Sequence, residues 1–307
     1  MHAWEAIDQS VNYIEAHISE ELDTKQLAEQ VYLSTFYFQR LFKRLVHKSV
    51  KEYIKLRRLA IAVDLLNNTD WKIIEIANHL GVSDHSNFTR MFKETYHLTP
   101  EEYREKRPRM NMIRRPNLAL NYLLVDEKVP LIINGIVLEI EKRQLTEERY
   151  VGIEGMVSVD QQLPIGQQTG IDQPGELWQR FYQEKPLLKG IVGEAVEAGI
   201  SFAASHSQTH FGYFVGGKEL DRTIVPPIGW VIKRVPSGYY LVCKIEAETK
   251  EMLVTNALNE AYRYLVDVWL PKHEIKVEAF SVERYQEIAS IPTMELCLKI
   301  KNSRCGQ

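Results

Sequence analysis

At 307 residues the chain is long enough for two domains, each with its own hydrophobic core. Hydrophobic residues make up 45% and charged residues 26%, ordinary values for a soluble globular protein, and no apolar run approaches the ~20 residues that cross a bilayer. The three cysteines (Cys243, Cys297 and Cys305) are scattered, and the first residues, MHAWEAIDQS, do not resemble a signal peptide. We therefore expect a cytoplasmic protein without a disulfide framework.

The net charge of −3 argues against a general nucleic-acid binder, but the charge is unevenly distributed. Residues 1–115 hold 18 Lys and Arg against 16 Asp and Glu, whereas the rest of the chain holds 20 against 25. Between Phe36 and Arg58 there are eight basic residues and one acidic residue, Glu52. This cluster is typical of a surface that contacts DNA phosphates, although each member taken alone is equally well explained as a solvated charge.

The N-terminal part of the chain is predicted to be helical, and it contains one pattern twice. Apolar residues at helical spacing predict a first helix over 3–19. Residues 27–53 and 76–103 then correspond at an offset of 49 or 50. The matched pairs are Ala28 with Ala77, Ser34 with Ser83, Phe38 with Phe88, Arg40 with Arg90, Phe42 with Phe92, Lys43 with Lys93 and Tyr53 with Tyr103. Such a repeat indicates one supersecondary unit used twice.

Each copy contains a short apolar helix, a turn and a second helix. In the second copy Gly81 ends the first helix, and Ser83 or Asp84 can cap the next. In the first copy Tyr32 stands at the position of Gly81, and Ser34 is the cap. Buried phenylalanines leave a polar outer edge near the start of each second helix: Thr35, Phe36, Gln39 and Arg40, then His85, Ser86, Thr89 and Arg90. This is the pattern of a helix-turn-helix, whose second helix fits the major groove.

This stretch resembles the double helix-turn-helix DNA-binding domain of the AraC family of bacterial transcription regulators. The matching pieces are LSTFYFQRLFKR, KEYIKLRRLAIAVDLLNNTD and IANHLGVSDHSNFTRMFKETYHLTPEEYR, with His97 where that family usually has Gly. The resemblance implies a monomeric reading head with two recognition helices in successive major grooves, held apart by a helix over 51–67. It implies that Phe36, Gln39, Arg40, His85, Ser86, Thr89 and Arg90 face the bases, and we expect Lys43 and Lys51 to contact phosphates.

The segment EKRPRMNMIRRP discourages helix and marks a domain boundary. We predict domains over 1–107 and 135–302, joined by a linker over 108–134. The second domain mixes strands and helices. Strands are expected over 136–143, 149–159, 210–217, 276–285 and 293–300, with two more joined at Pro236-Ser237-Gly238, and helices over 175–181 and 253–268. The elements form two similar halves, which predicts a small sheet backed by helices with a cleft between the halves.

The second domain resembles the GyrI-like effector-binding domain, found in regulators that sense small, often cationic and aromatic compounds. The matching pieces are YVGIEG, ELWQRF, HFGYFVG, VPSGYYLV, YRYLVDVWLP, VERYQ and MELCLKI, with Leu298 where the family has Pro. In that family a buried Glu on the last strand meets the positive charge of the ligand, and Glu295 matches it; Glu283 is a second candidate. Aromatic walls are expected from Trp178, Tyr213, Trp230, Tyr239, Trp269 or Tyr285, since flat cations bind over ring faces.

Simpler explanations compete with these roles. Alternation along the last strand places Glu295 with Thr293, Cys297 and Lys299, which is the pattern of a solvent-exposed face. Each aromatic residue taken alone is explained by packing in the core.

We predict a multidomain protein: an all-α double helix-turn-helix domain followed by an α+β GyrI-like domain with a central ligand cleft. The predicted function is a sequence-specific DNA-binding transcription regulator whose C-terminal domain senses a small cationic or aromatic effector, as in multidrug sensing. Its expected partners are double-stranded promoter DNA and a small organic effector, with RNA polymerase as a further candidate and no membrane. No nucleophile elbow, Walker A loop or dinucleotide fingerprint occurs, so we expect no enzymatic activity, no cofactor and no metal. The alternative is that small-molecule binding or hydrolysis in the GyrI-like domain is the main function.

Overall fold

The computed structural model describes residues 2–82, 84–121, 123–133, 135–158, 170–203, 209–221, 223, 225–286 and 292–301. Ser83 and Cys305 lie outside these residues. The chain divides into two compact units, Met1–Tyr122 with Gly166–Asp172, and Leu123–Ile165 with Gln173–Gln307. The expected boundaries at 107 and 135 stay a prediction. None of the described helices has both the length and the apolar content needed to cross a membrane.

The first unit is helical. Its helices are α1 (Ala3–Ala16), α2 (Thr24–Gln30), α3 (Thr35–Val46), α4 (Val50–Asn68), α5 (Ile73–His79), α6 (His85–Tyr96) and α7 (Pro100–Lys106). A short antiparallel ladder of β1 (Met110–Asn111) and β5 (Gly170–Ile171) completes it, with a 3-10 turn at Leu118–Asn121. The predicted stripe of Ile7, Val11, Ile14 and Ile18 is buried, although α1 ends at Ala16.

The sequence repeat is a structural repeat, because α2, α3 and α4 are followed by α5, α6 and α7 in the same roles. The matched aromatic residues pack alike: the ring centroids of Phe42 and Tyr53 lie 5.7 Å apart, and those of Phe92 and Tyr103 lie 6.1 Å apart. Each helix that follows a recognition helix begins at a capping hydroxyl, Ser49 for α4 and Thr99 for α7.

The turn between the two helices of each motif has the same backbone conformation in both copies. Tyr32 has φ 58° and Gly81 has φ 70°, so both are left-handed. Tyr32 carries its side chain into solvent, where it is 90% exposed. A Cβ at Gly81 would lie 2.8 Å from the carbonyl oxygen of Ser19 and 3.3 Å from Arg58. In the second copy, therefore, both the left-handed conformation and the lack of space for a Cβ favour glycine. In the first copy only the conformation does.

Helix α4 is fixed to α1 by a half-buried polar cluster. The guanidinium of Arg57 donates two hydrogen bonds of 2.8 Å to the carboxylate of Glu15 and a third to the carbonyl oxygen of Ile113. The hydroxyl of Tyr53 donates to the same carboxylate at 2.7 Å. Burial acts to raise the pKa of Glu15, but the hydrogen bonds and charge of Arg57, with Tyr53, bring it below the ordinary value.

The second unit is built, in its described part, on one nine-stranded antiparallel sheet with the order β2-β3-β9-β11-β10-β6-β7-β4-β8. The strands are β2 (Leu131–Ile133), β3 (Ile136–Leu145), β4 (Glu148–Ser158), β6 (Val192–Ala203), β7 (His210–Glu219), β8 (Val231–Val235), β9 (Gly238–Ala247), β10 (Val277–Gln286) and β11 (Thr293–Ile300). Helix α8 (Gln173–Glu184) is followed by a 3-10 turn at Lys185–Leu188. The long helix, residues 250–272, alternates α-helical segments with π-helical segments at Leu253–Ala257 and Tyr264–Trp269.

The predicted halves correspond to two runs of strand, helix, strand and strand. One is β4, α8, β6 and β7, and the other is β9, the long helix, β10 and β11. The inner strands β6 and β10 pair with each other at the centre of the sheet, so the halves share one sheet. The fold class, a helical domain followed by an α+β domain, is confirmed. Strand β6 was not predicted, because VGEAVEAGISFA does not alternate regularly.

Both faces of this sheet are buried. The front face carries Val151, Tyr213 and Val215, which form one core with Phe181 of α8. The back face carries Tyr150, Val282 and Cys297, which belong to a second core. The cysteines Cys243 and Cys297 are buried and free.

Candidate DNA-binding surface and effector cleft

Helix α3 presents its predicted recognition residues to solvent. Ser34 caps the helix, accepting a hydrogen bond from the backbone N–H of Tyr37, while Phe38, Leu41 and Phe42 are buried beneath it. Phe36 is 75% exposed, and Gln39 and Arg40 are exposed one turn further on. Within the described part of the chain Arg40 has no ion pair, so its guanidinium is available to a ligand.

Helix α6 presents an equivalent surface with one difference from the prediction. Asp84 is the cap, accepting from the backbone N–H of Ser86 at 2.9 Å. His85, Ser86 and Arg90 are exposed. The guanidinium of Arg90 donates to the side-chain oxygen of Asn87 at 3.1 Å. Thr89 was expected to face outward, but its hydroxyl oxygen is buried without a hydrogen-bond partner among the described residues, so the hydroxyl does not point to solvent.

The two lysines expected to contact phosphates are also exposed. Lys43 lies on the last turn of α3, and Lys51 lies on the first turn of α4. Helix α4 has 19 residues and is therefore about 28 Å long at 1.5 Å per residue. The structure thus places one exposed lysine on the first recognition helix and one at the start of α4, a helix long enough to separate the two motifs.

In the second unit the structure brings four of the predicted effector residues together on the front face. The hydroxyls of Tyr213 and Tyr285 donate to one carboxylate oxygen of Glu283, at 2.9 Å and 3.0 Å. The indole N–H of Trp178 donates to the hydroxyl oxygen of Tyr213 at 3.1 Å, and its ring stands edge-on to Tyr285, with centroids 5.1 Å apart. Burial and the neighbouring Glu283 raise the pKa of Tyr285 well above its ordinary value, so the hydroxyl remains a donor.

A glycine that the sequence did not single out makes room for this group. Gly199 of β6 pairs with Glu283 of β10 across the centre of the sheet. A Cβ at Gly199 would overlap the hydroxyl of Tyr213 and would lie 2.9 Å from the carboxylate of Glu283. No sequence signal marks Gly199, because its role depends on strand pairing. The spacing of Glu283 and Tyr285, two apart on a strand, was a usable signal for their shared face.

The long helix lies beside the central strands that carry this group. The charge of Glu283 contributes to the raised pKa of Tyr262, after burial and Asp267. A cavity of about 100 Å³ is lined by Tyr262 and Val266 of the helix and by Ser201 and Ser281 of the central strands; Glu283, Tyr213 and Tyr285 are not among its described lining residues. Ser201 and Ser281 pair with each other two positions along from Glu283 and Gly199. We call this group and its cavity the cleft.

Glu295 lies outside the cleft as defined here, and the expectation that it meets the ligand stays a prediction. It pairs with Arg284 across β10 and β11, whereas Glu283 pairs with Leu296, so the two carboxylates lie on opposite faces. On the back face Glu295 accepts from Arg284 at 2.9 Å and from Arg143 at 2.5 Å. Only 17% of its side chain is exposed, so Glu295 does not lie on a solvent-exposed face, where the simpler explanation placed it.

Three aromatic residues offered as walls lie elsewhere. Trp269 is fully buried, stacks on His273 and donates its indole N–H to the carbonyl oxygen of Val125. Tyr239 is 56% exposed near the start of β9. Trp230 packs against Phe181, with ring centroids 6.3 Å apart. Packing accounts for the side chains of Trp269 and Trp230, whereas the side chain of Tyr239 is mostly exposed.

Comparison with known proteins gives the first unit a clear relationship. Residues 27–106 match the family model of a helix-turn-helix domain. Over 98 residues the chain is 38% identical to the regulatory protein PocR of Salmonella typhimurium, a stretch that covers 32% of each protein. It is 33% identical over 100 residues to the regulatory protein SoxS of the same organism, covering 33% of this chain and 94% of SoxS. The chain therefore spans about a third of the length of PocR but nearly all of SoxS.

The second unit is only loosely similar to a solved structure. The structure of SAV2435 bound to tetraphenylphosphonium covers 53% of this chain and 94% of its own chain, at a TM-score of 0.40 and 16% sequence identity. An overlap at this level indicates neither a shared ligand nor a shared function.

Proposed function

Because the chain belongs to the AraC family of transcription regulators, we propose that it binds a specific promoter sequence with its first unit and a small organic effector with its second. The observation that carries the DNA-binding part is the repeat itself. Two capped helices, α3 and α6, present exposed arginines, Arg40 and Arg90, at equivalent positions over equivalent cores. The relatives named above are regulatory proteins that match the first unit, which favours regulation over hydrolysis as the main function.

Base reading falls to the exposed side chains of α3 and α6. Arg40 and Arg90 suit the bidentate acceptor pattern of guanine, and Gln39 suits that of adenine. Phe36 suits the methyl group of thymine, and His85 and Ser86 add polar contacts. Because the hydroxyl of Thr89 is buried, its contribution is an apolar contact. Lys43 and Lys51 supply affinity through phosphates and do not select the sequence.

Effector binding falls to the cleft. A carboxylate held by two tyrosine hydroxyls and bordered by an indole ring offers a negative charge beside aromatic faces. That combination attracts an organic cation with flat, apolar substituents, through charge and through cation–π contact. We therefore assign the charge-recognising role to Glu283, with Tyr213, Tyr285 and Trp178 as the surrounding wall. Glu295 already accepts hydrogen bonds from two arginines and has a structural role on the back face.

In this role the protein acts in the cytoplasm, where promoter DNA is found, and RNA polymerase is a further partner. Effector binding changes transcription only if the effector prefers one state of the protein, and linkage then requires a reciprocal effect. The test first selects the duplex that the full-length protein binds best from a random pool. The affinity for that duplex is then measured with and without tetraphenylphosphonium, a lipophilic aromatic cation. We expect the probe to change duplex affinity by at least about fivefold, and the duplex to change probe affinity by the same factor. Binding of the probe with no effect on duplex affinity would remove the regulatory link.

A further inference from the structure

Two side chains of the long helix hold one residue near the start of the second unit. The hydroxyl of Tyr264 accepts a hydrogen bond from the backbone N–H of Val125 at 3.1 Å. The indole N–H of Trp269 donates to the carbonyl oxygen of the same residue at 3.0 Å. Both side chains are buried. Both backbone groups of Val125 are therefore satisfied by one helix, and we call this arrangement the Val125 clamp.

The clamp depends on the helix being locally π-helical. Tyr264 and Trp269 are the first and last residues of a π-helical segment and are five positions apart. In an α-helix residues five apart point about 140° away from each other, since each turn takes 3.6 residues. The wider π turn, with its bonds between residues five apart, brings them onto one side of the helix. A return of this segment to α-helical geometry would separate the two side chains and release Val125.

The clamped residue lies at the first of the three places where the chain passes between the units. The second unit begins at Leu123, so Val125 is its third residue. The residues that follow are also fixed: Glu127 forms an ion pair of 2.8 Å with Lys142, and the backbone N–H of Lys128 donates to Ile140. The conformation of the connecting chain is thus set at Val125 by the long helix.

The same helix borders the cleft. Tyr262 and Val266 line its cavity, and the charge of Glu283 contributes to the raised pKa of Tyr262. That cavity, about 100 Å³, is well below the roughly 300–1,000 Å³ of sites that hold drug-sized ligands. An aromatic cation of that size can enter only if the lining of the cavity widens, and Tyr262 and Val266 are part of that lining. Along the helix the cavity residues alternate with the clamp residues, in the order Tyr262, Tyr264, Val266 and Trp269.

We infer that the long helix transmits the state of the cleft to the connecting chain through the Val125 clamp. Entry of an effector against Tyr262 and Val266 displaces the π-helical segment, and the displacement releases the backbone of Val125. The connecting chain then gains freedom, which alters how the first unit engages DNA. This inference rests on the proposed effector site and specifies how that site is coupled.

The test is amide hydrogen exchange at residues 123–128 of the full-length protein, with and without tetraphenylphosphonium. Calorimetry on the same samples shows whether the probe is bound. The variants are Tyr264→Phe, which removes the acceptor of the Val125 amide, and Tyr240→Phe as the matched control. The hydroxyl of Tyr240 donates to the carbonyl oxygen of Pro236 at 2.7 Å, away from the clamp.

We expect the probe to accelerate exchange at Val125 in the wild type by about fivefold or more, the factor for loss of one hydrogen bond with local opening. Tyr264→Phe should show the faster exchange without the probe and little further change with it, whereas Tyr240→Phe should behave as wild type. Probe binding with unchanged exchange at Val125 would overturn the coupling and leave the effector site standing. Unchanged exchange in Tyr264→Phe would overturn the clamp. Failure of the probe to bind the wild type would instead overturn the effector site on which both depend.

Discussion

The assignment of Glu283, and not Glu295, as the acid that meets a cationic effector is tested by the same substitution at both positions. Glu283→Gln removes the negative charge of the cleft while keeping the size of the side chain and one acceptor oxygen for the tyrosine hydroxyls. Glu295→Gln makes the identical chemical change on the neighbouring strand, on the opposite face of the sheet. The pair therefore separates the role of the cleft from any general effect of losing an acid.

The expected size follows from Coulomb's law. A cation held over the rings beside Glu283 has its charge about 5 Å from the carboxylate. At that distance two unit charges attract by about 0.8 kcal/mol in water and about 3 kcal/mol at an effective dielectric constant of 20. Glu283 is half-buried, so we expect an intermediate loss of about 2 kcal/mol, or roughly 30-fold in Kd. The aromatic contacts remain, so weak binding should persist.

The assay is calorimetric titration of full-length protein with tetraphenylphosphonium, paired with urea unfolding. We expect Glu295→Gln to bind the probe within about twofold of wild type. It should lose about 1–2 kcal/mol of stability, because Arg284 and Arg143 each lose a charged partner. The reasoning is refuted if Glu283→Gln binds the probe as well as wild type, or if Glu295→Gln abolishes binding while remaining folded.

Further predictions concern the first unit. Arg40→Ala should cost about 1–3 kcal/mol and relax selection at one base pair; equal losses on every duplex would make it a phosphate contact. Lys51→Ala should weaken all duplexes alike and lower the salt dependence by about one ion, so an unchanged slope contradicts its role. Gly81→Ala should destabilise by about 1–3 kcal/mol in urea unfolding, because of the contact with Ser19, whereas Tyr32→Ala should change little. The lowered pKa of Glu15 should add stability that is present above about pH 4.5 and is lost as pH falls through the folded-state pKa; Glu15→Gln should abolish that dependence, and an unaltered acid transition would contradict it.

The first unit could be predicted well because its information is local. Helical spacing placed Ile7 and Val11 in the core, and the offset between the copies assigned Phe42 and Phe92 to equivalent positions. The left-handed conformation of Tyr32 was not predicted, because tyrosine at the position of Gly81 left the geometry of that turn open. The buried hydroxyl of Thr89 could not be predicted this way. Residue spacing gives the direction of a side chain from the helix but not how far its neighbours cover it.

In the second unit the sequence did not predict the side-chain contacts that depend on which strands pair. Alternation correctly places Glu295 and Leu296 on opposite faces of the sheet, but it does not show which face is covered by other residues. In the structure both faces are covered, and Cys297, on the same face as Glu295, is fully buried. Glu283 is held by Tyr213 of β7, in the other half of the sheet, and by Tyr285 of its own strand, and Gly199 matters only because β6 pairs with β10.

The long helix shows a second limit. The helix was predicted over 253–268 from apolar spacing at 3.6 residues per turn, but Trp269 was expected in the effector site. Two π-helical segments change the direction of the side chains that follow them. Such segments leave no mark in the spacing of apolar residues over a few turns, so the contact of Trp269 with Val125 was not foreseeable.

The measurement that bears most directly on function is selection of bound duplexes from a random pool, using purified full-length protein at physiological salt. Two equivalent reading helices predict an enriched motif with two short elements about ten base pairs apart, since successive major grooves on one face are one helical turn apart. Arg40→Ala and Arg90→Ala should each relax a different element of that motif. Enrichment of a single element, or no enrichment at all, would contradict the proposal that both helices read DNA.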